Sequence, residues 1–514
     1  MLIFKNNLHT IILILIIIVG GFLRMYQLHD NPPGFFADEA SVGYNAYKIA
    51  TTGKDEHGAV LPVFFQAFGE YKGPIQTYLT VPFITLFGLS ELAVRLPSAI
   101  IGSITILALF FLTRRIFHNH HYKIHVGLFA ALLLAISPWH LHLSRTSMEG
   151  LMPFVLFTTL GLLFYLQKEQ GKKLYLSILF FSFALYSYFP ARIFLPLFGL
   201  SLVLLDLKFF LRRYKQTLIA LTFLFVLILP LLFHLLSPAG LSRWQQVSVF
   251  SNLPKNESAS THIFRNYISH LSYDFLFKKG DIDMEGQFIT RHSVRGIGEL
   301  YLFQLPFILL GILFLFKINR KVFYILLFWI LFFPFSSAFT ADKSAQATRS
   351  IIGVIAFQII SAAGLVQLVY IFKQVVWRKL ALSIGILTLI IVSFTHFINL
   401  YFIQYPTYAA DFWGWQYGPK EIVAYFEKNK TQYDDLYLIG EFNAPEIFFK
   451  FYAPNGCEKC RIGVPHESYN PIKKQLFAVT PAYLEQHLEI QFAVRKTVYY
   501  PDHSVAFQIG EIVE

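Results

Sequence analysis

The chain has 514 residues, 55% of them hydrophobic and only 14% charged, with a net charge of +12. About a quarter of a soluble domain is charged, so this composition, with a mean hydropathy of +0.51, excludes an ordinary soluble protein. The basic excess lies in short gaps between apolar runs, which makes it a matter of membrane topology and not a nucleic-acid footprint.

The first apolar run, "IILILIIIVGGFL" at 11–23, follows Lys5, and no small-x-small cleavage site comes after it. It reads as an uncleaved span. With roughly 20 apolar residues needed per crossing, eleven spans are expected: near 8–25, 94–113, 124–137, 151–167, 174–189, 192–210, 217–236, 299–316, 322–339, 350–372 and 380–400. Every second gap is basic: Arg114, Arg115 and Lys123; Lys168, Lys172 and Lys173; Arg212, Arg213 and Lys215; Lys317, Arg320 and Lys321; Lys373, Arg378 and Lys379. The positive-inside rule places these gaps and Lys5 in the cytoplasm. One apolar segment, 73–88, is short, and laying it along the outer surface preserves the alternation.

The fold class expected is an all-α polytopic membrane protein with a small extracytoplasmic C-terminal α/β domain. Residues 1–400 form the membrane domain and 401–514 the tail domain. The outer loops are 26–93, 138–150, 190–191, 237–298 and 340–349, so the long loops all share the non-cytoplasmic face.

Loop 26–93 opens with "PPGFFADEAS", where Asp38 and Glu39 stand side by side. "SVGYNAYKIATTG" reads as a short helix, capped by Asp38 or Ser41 and closed by Gly53. The bland reading of Asp38 and Glu39 is a helix cap and a first-turn carboxylate. Loop 237–298 is too long for a plain connector; its "DID", Asp281 to Asp283, reads as a turn, with metal binding the lesser alternative. In the tail, "GPKEIVAYFEKN" reads as a helix, "PEIFFKFY" as helix or strand, and "DDLYLIGE", "RKTVYY" and "SVAFQIG" as strands. Cys457 and Cys460, in "CEKC", leave open a disulfide, a free thiol pair and half a zinc site; a structural zinc needs four ligands, and only His466 is near.

Lys72, Arg145, Glu149, His292, Arg295 and Arg349 fall in four separate outer loops. Each cation alone reads as a solvated or snorkelling side chain. Together with the carboxylates they describe a site for a lipid phosphate at headgroup level.

The stretch "GFFADEASVGYNAYKIATTGKDEHGAVLP", followed by "YKGPIQTYLTVPFITLFGLSELAVRLPSAIIG", resembles the first outer loop of membrane glycosyltransferases with the GT-C fold. The branch it is similar to contains protein O-mannosyltransferases and lipid A aminoarabinose transferases. "GIGELYLFQLPFILLG", "ATRSIIG" and "YPTYAADFWGWQYGPKE" extend the likeness to about residue 420. The resemblance implies an inverting sugar transfer from a polyprenyl-phosphate carrier to a lipid, glycan or protein acceptor. It implies a bacterial cytoplasmic membrane with the site on its outer side. Asp38 would be the general base and Glu39 its catalytic neighbour. Lys72 would meet the carrier phosphate, although the family's "KPP"-like motif reads "KGP" here. Arg145, Glu149, His292, Arg295 and Arg349 would bind substrate. No metal or other cofactor is expected. The rival class is a transporter or flippase of lipid-linked glycans, which would favour ionisable groups inside the spans; Asp206 and His234 lie only near span ends.

Overall fold

The computed structural model describes residues 2–253, 257–284, 289–372 and 374–513, with side chains from residue 7 onward. The Lys5 side chain and Lys373 lie outside the described residues.

Helix α1 (Leu2–Met25) leads into the first loop. There α2 (Ala37–Thr52) is followed by a hairpin of β1 (Phe65–Ala67) and β2 (Glu70–Lys72), and then by α3 (Ile75–Phe87). Next come α4 (Glu91–Ile116), α5 (Lys123–Ile136), α6 (Pro138–Ser144) and α7 (Leu151–Tyr165). All eleven stretches expected to span contain helix. By length and hydropathy, however, six among the described residues are long enough to cross: Asn7–Met25, Glu91–Ile116, Tyr214–Leu235, Arg320–Ala338, Gly353–Ile371 and Val376–Tyr408. A seventh results if α5 and α6, bent by 57°, count as one. The bend falls where Ser137 caps α6 and Pro138 enters its first turn; proline cannot donate to the preceding turn. α7, Ala191–Leu205 and Gln304–Ile318 are apolar but shorter. Fifteen residues at 1.5 Å each give about 22 Å against a core of about 30 Å. The expected count of eleven therefore exceeds what helix length establishes.

The basic gaps meet at one end of the bundle. Arg115 donates to the Leu166 carbonyl (2.7 Å), Arg213 pairs with Glu169 (2.8 Å), and Lys168 (2.8 Å) and Lys321 both pair with Asp206. The long loops occupy the other end. Helix α3 starts beside Gln76–Ser147 (2.9 Å) and leads to Glu91, which the tail's Tyr452 holds at 2.5 Å. Both its ends lie at the loop end, so it does not traverse the bundle. Within the bundle, Gly311 and Gly364 allow helices Gln304–Ile318 and Gly353–Ile371 to meet backbone to backbone. A Cβ on Gly364 would stand 1.9 Å from the Phe307 carbonyl oxygen. Close approach through small residues is how helices associate where burial alone gives no drive.

The tail forms a five-stranded sheet in the order β4-β3-β5-β7-β6, from β3 (Asp435–Leu438), β4 (Cys460–Ile462), β5 (Gln475–Val479), β6 (Phe492–Tyr499) and β7 (Val505–Ile512). β3, β4 and β5 run parallel, and β6 and β7 add antiparallel strands. "PEIFFKFY" resolves into a helix, Glu446–Tyr452. Strands β4 and β5 had no counterpart in the sequence reading. Cys457 and Cys460 are joined as a disulfide. Helix α2 shares one hydrophobic core with the tail: Phe35, Ala40 and Val42 pack with Ile447, Phe451 and Phe477. Gly43 is the contact point, since a Cβ there would lie 2.6 Å from both Val94 and Phe451.

Candidate active site

Helix α2 begins at Ala37, with Phe36 in the capping position and no side-chain cap. The cap expected from Asp38 or Ser41 is not formed, because the Ala37 N–H already donates to Gln416 Oε1 (3.4 Å) and the Asp38 carboxylate turns to Lys72. Gly53 does close the helix in a left-handed conformation, φ 69°.

Successive residues here serve different surroundings. Phe35 packs on Phe451 of the tail, with ring centres 4.7 Å apart. Phe36 lies 3.8 Å beneath the Arg291 guanidinium. Asp38 faces a cavity of 140 Å³, and Glu39, about 100° further round the helix, is wholly buried. Glu39 accepts from Arg95 (2.8 and 3.1 Å) and from the Ser147 N–H (2.8 Å). It joins α2 to α4 and the 145–149 loop and does not line the cavity.

The hairpin supplies the partner of Asp38. Phe68 and Gly69 both take positive φ (54° and 78°), the conformation of a tight two-residue hairpin turn. Alternation along β2 then puts Glu70 and Lys72 on one buried face. Lys72 pairs with Asp38, and Glu70 with Arg243 (2.6 Å).

Opposite them, Glu149, Arg243, Arg291, His292, Asp342 and Arg349 line the same cavity. Arg349 pairs with Asp342, and Arg243 stands 3.9 Å from Glu149. Arg291 donates to the Trp413 carbonyl (2.8 Å), and His292 Nδ1 lies 3.4 Å from Asp281. Glu149 has φ 49°, a left-handed conformation costing on the order of 1–3 kcal/mol for such a residue.

Burial would raise the Asp38 carboxyl, but Lys72, with Arg291 and Arg243 beyond it, outweighs burial and holds it below the ordinary carboxylate range. Burial likewise opposes the charge on Lys72, yet Asp38, Glu70 and Glu149 raise it. Glu149 is pushed up, by burial first and by Glu70 and Asp38 against the pull of Arg243 and Lys72. Burial lowers Arg291 to about 10, against the attraction of Asp38. His292 is lowered by burial and the nearby arginines more than Asp281 raises it. The cavity thus holds an ionised Asp38 facing three arginines.

Of the residues singled out from sequence, Asp38, Glu149, His292 and Arg349 line the cavity, with Lys72 behind Asp38. Glu39, Arg145 and Arg295 do not. Arg145 is buried and donates to the carbonyls of Leu23 (2.6 Å) and Asn31 (2.7 Å), satisfying the end of α1. Arg295 is half exposed, pairs with Asp283 (3.1 Å) and stacks on Tyr408. Asp281 and Asp283 therefore turn to different partners. Sequence reading missed Arg243, Arg291 and Asp342. Arg291 stands directly before His292, but irregular loops carry no periodicity to say which cation faces inward. Among the described residues no group of three or more His, Cys, Asp or Glu could hold a metal ion.

Residues 71–234 match the model of the dolichyl-phosphate-mannose-protein mannosyltransferase family. No curated protein matches the chain in sequence. Among solved structures, the fold is similar to ArnT from Cupriavidus metallidurans in the apo state, with a TM-score of 0.53 and 12% identity over 98% of each chain. The same protein bound to undecaprenyl phosphate gives 0.52 and 12% over 97% of each. The archaeal oligosaccharyltransferase AglB from Archaeoglobus fulgidus, in complex with an inhibitory peptide and a dolichol-phosphate, gives 0.52 and 14%, over 88% of this chain and 64% of that one. The fold is thus similar to that of these transferase structures. The family segment covers about a third of the chain, while the likeness of fold runs over nearly all of it.

Proposed function

We propose that the cavity transfers a sugar from a polyprenyl phosphate to an acceptor hydroxyl or amine, with inversion at the anomeric carbon. The observation that carries this reading is an ionised carboxylate, Asp38, in one cavity with Arg243, Arg291 and Arg349, of which Arg349 is paired with Asp342 and Arg243 with Glu70. The acceptor heteroatom attacks the anomeric carbon while its proton passes to Asp38. The bond from that carbon to the phosphate oxygen breaks, and the electron pair leaves with the polyprenyl phosphate. A single displacement with one base inverts the centre, by analogy with inverting glycoside hydrolysis. Three fixed cations suit the charge gathering on the phosphate, a contribution often larger than proton transfer. When Asp38 takes the proton it becomes neutral, which releases the charge of Lys72 toward the departing phosphate. The ends of the bundle support the same orientation: basic gaps at one end, on the cytoplasmic side by the positive-inside rule, and the cavity at the other. On this reading all eleven apolar helices cross and α3 lies on the outer surface. A bacterial cytoplasmic membrane fits the resemblance of the first loop.

The test is release of free polyprenyl phosphate from polyprenyl-phosphate sugars by purified protein, with crude membrane extract as acceptor source. Wild type is expected to release it, and Asp38→Asn to be slower by about 10²–10⁴ while remaining folded in the membrane. Equal release by the two would remove Asp38 from the chemistry. Movement of intact donor across vesicles without cleavage would favour the transport reading.

A further inference from the structure

A second cleft, of 350 Å³, lies along the seam between the first loop and the tail. It is separated from the catalytic cavity by the start of α2: Phe35 faces the seam, and Asp38, less than one turn on, faces the cavity.

Two nearly inaccessible amides line this cleft, Asn31 at 2% and Gln416 at 1% exposure. Asn31 Nδ2 donates to the Tyr401 carbonyl, 3.0 Å, which fixes Oδ1 as the remaining acceptor. Gln416 Oε1 accepts from the Ala37 N–H, which fixes Nε2 as the remaining donor. Neither Asn31 Oδ1 nor Gln416 Nε2 has a hydrogen-bond partner among the described residues. A buried amide group without a partner costs about 1–3 kcal/mol; both atoms are closed to solvent in the wall of the cleft, so a ligand seated there would pair with them only as that wall gives.

The lining narrows the ligand's chemistry. Asp30, Glu91 and Glu421 face it against Lys420 and His29, an acidic excess that repels phosphate and other anions. Tyr417 and Tyr452 add apolar faces with hydroxyl tips, while Pro33, Pro406, Pro419 and Pro501 make the walls stiff. Glu91 is already tied to Lys420 (2.9 Å) and Tyr452 (2.5 Å), which holds the cleft open in one shape. Each hydroxyl both donates and accepts, so a neutral polyol matches carboxylates, an amide donor and an amide acceptor together.

From this juxtaposition we propose that the seam cleft is a saccharide-binding site, seating a sugar residue of the acceptor away from the reacting group. The proposal rests on the transferase reading for the word acceptor, but not for the binding itself. Binding energy gathered on a remote sugar can be used to orient the reacting one.

The test uses the full chain in detergent, with mannotriose, maltotriose and chitotriose as probes. Tryptophan fluorescence is the readout, because Trp415 directly precedes Gln416 and Trp413 lies three residues before it. At least one trisaccharide is expected to bind, and inorganic phosphate not to compete. Gln416→Met should weaken binding by about three- to tenfold, the worth of one hydrogen bond. Tyr417→Ala should weaken it as well and leaves the Ala37 contact untouched, which guards against a folding defect in the first variant. Failure of all three probes to bind, or binding unaffected by both variants, would overturn the proposal. A proline-rich peptide binding with the same sensitivity to both variants would overturn it in favour of a polypeptide site. Release of polyprenyl phosphate is measured on the same preparation. Release without saccharide binding sinks this site alone, whereas binding without release upholds it and sinks the transferase reading.

Discussion

Lys72 and Asp38 hold each other charged, and that coupling sets how the site responds to pH. Asp38 titrates below its ordinary value, so its share of stability is present above about pH 3.9 and is lost as pH falls through the lower folded value. Lys72 titrates above its ordinary value, so its share is present below about pH 10.4 and is lost as pH rises through the higher folded value. Lys72→Met is therefore expected to lower the melting temperature most between roughly pH 5 and 9, with the gap from wild type closing toward pH 3. The loss at neutral pH should be about 3 kcal/mol, the low end for breaking a buried pair, since Arg291 and Arg243 still face Asp38. A gap that stays constant down to pH 3 would show that the pair is not what Lys72 contributes. Asp38 and Lys72 were legible in the sequence because both lie in the one loop with a recognisable pattern. Arg243 and Arg291 were not, because each reaches the cavity from an irregular stretch in which spacing says nothing about direction.

Helix α2 is the element on which the site depends, and its neighbours determine its angle. Glu39, read from sequence as catalytic, ties it to α4 through Arg95, with both side chains fully buried. Glu39→Gln should destabilise the protein by about 3–5 kcal/mol, since Arg95 would be left as an uncompensated buried charge. Polyprenyl-phosphate release per folded molecule should change far less than in Asp38→Asn. Thermal melts and turnover on the same samples separate the two roles: a loss of turnover equal to that of Asp38→Asn, with no loss of stability, would restore Glu39 to the chemistry. Sequence placed the helix and its Gly53 stop correctly, yet missed its first turn. An acidic residue near a helix start reads as a cap, and only the fold reveals that Gln416, 379 residues away, takes that place.

At the scale of the molecule, the alternation of basic gaps was the most informative signal, and those gaps do converge at one end through Asp206, Glu169 and the Leu166 carbonyl. A single cysteine replacing Arg114 is expected to react only with reagents applied from the cytoplasmic side in sealed vesicles. Labelling from outside would mean that the whole bundle stands the other way up in the membrane, since both ends of α3 lie at the loop end. The tail was visible as α/β, but its union with α2 was not, since burial between segments so far apart in the chain leaves no local pattern. Strands β4 and β5 escaped notice for a similar reason: β4 has three residues, and β5 is buried along its whole length and lacks alternation.

The run from Phe35 to Glu39 sends its side chains in turn to the tail, to Arg291, to the cavity and to Arg95. Removing or adding one residue there would rotate all that follows by about 100°. A deletion would bring Glu39 to the place of Asp38 and an insertion Asp38 to that of Glu39, and in either case the other carboxylate would be left without its partner. Natural variants of this chain should therefore tolerate changed letters in the stretch far better than a changed length, and an alignment that opens a gap between Phe35 and Glu39 should be suspected of error.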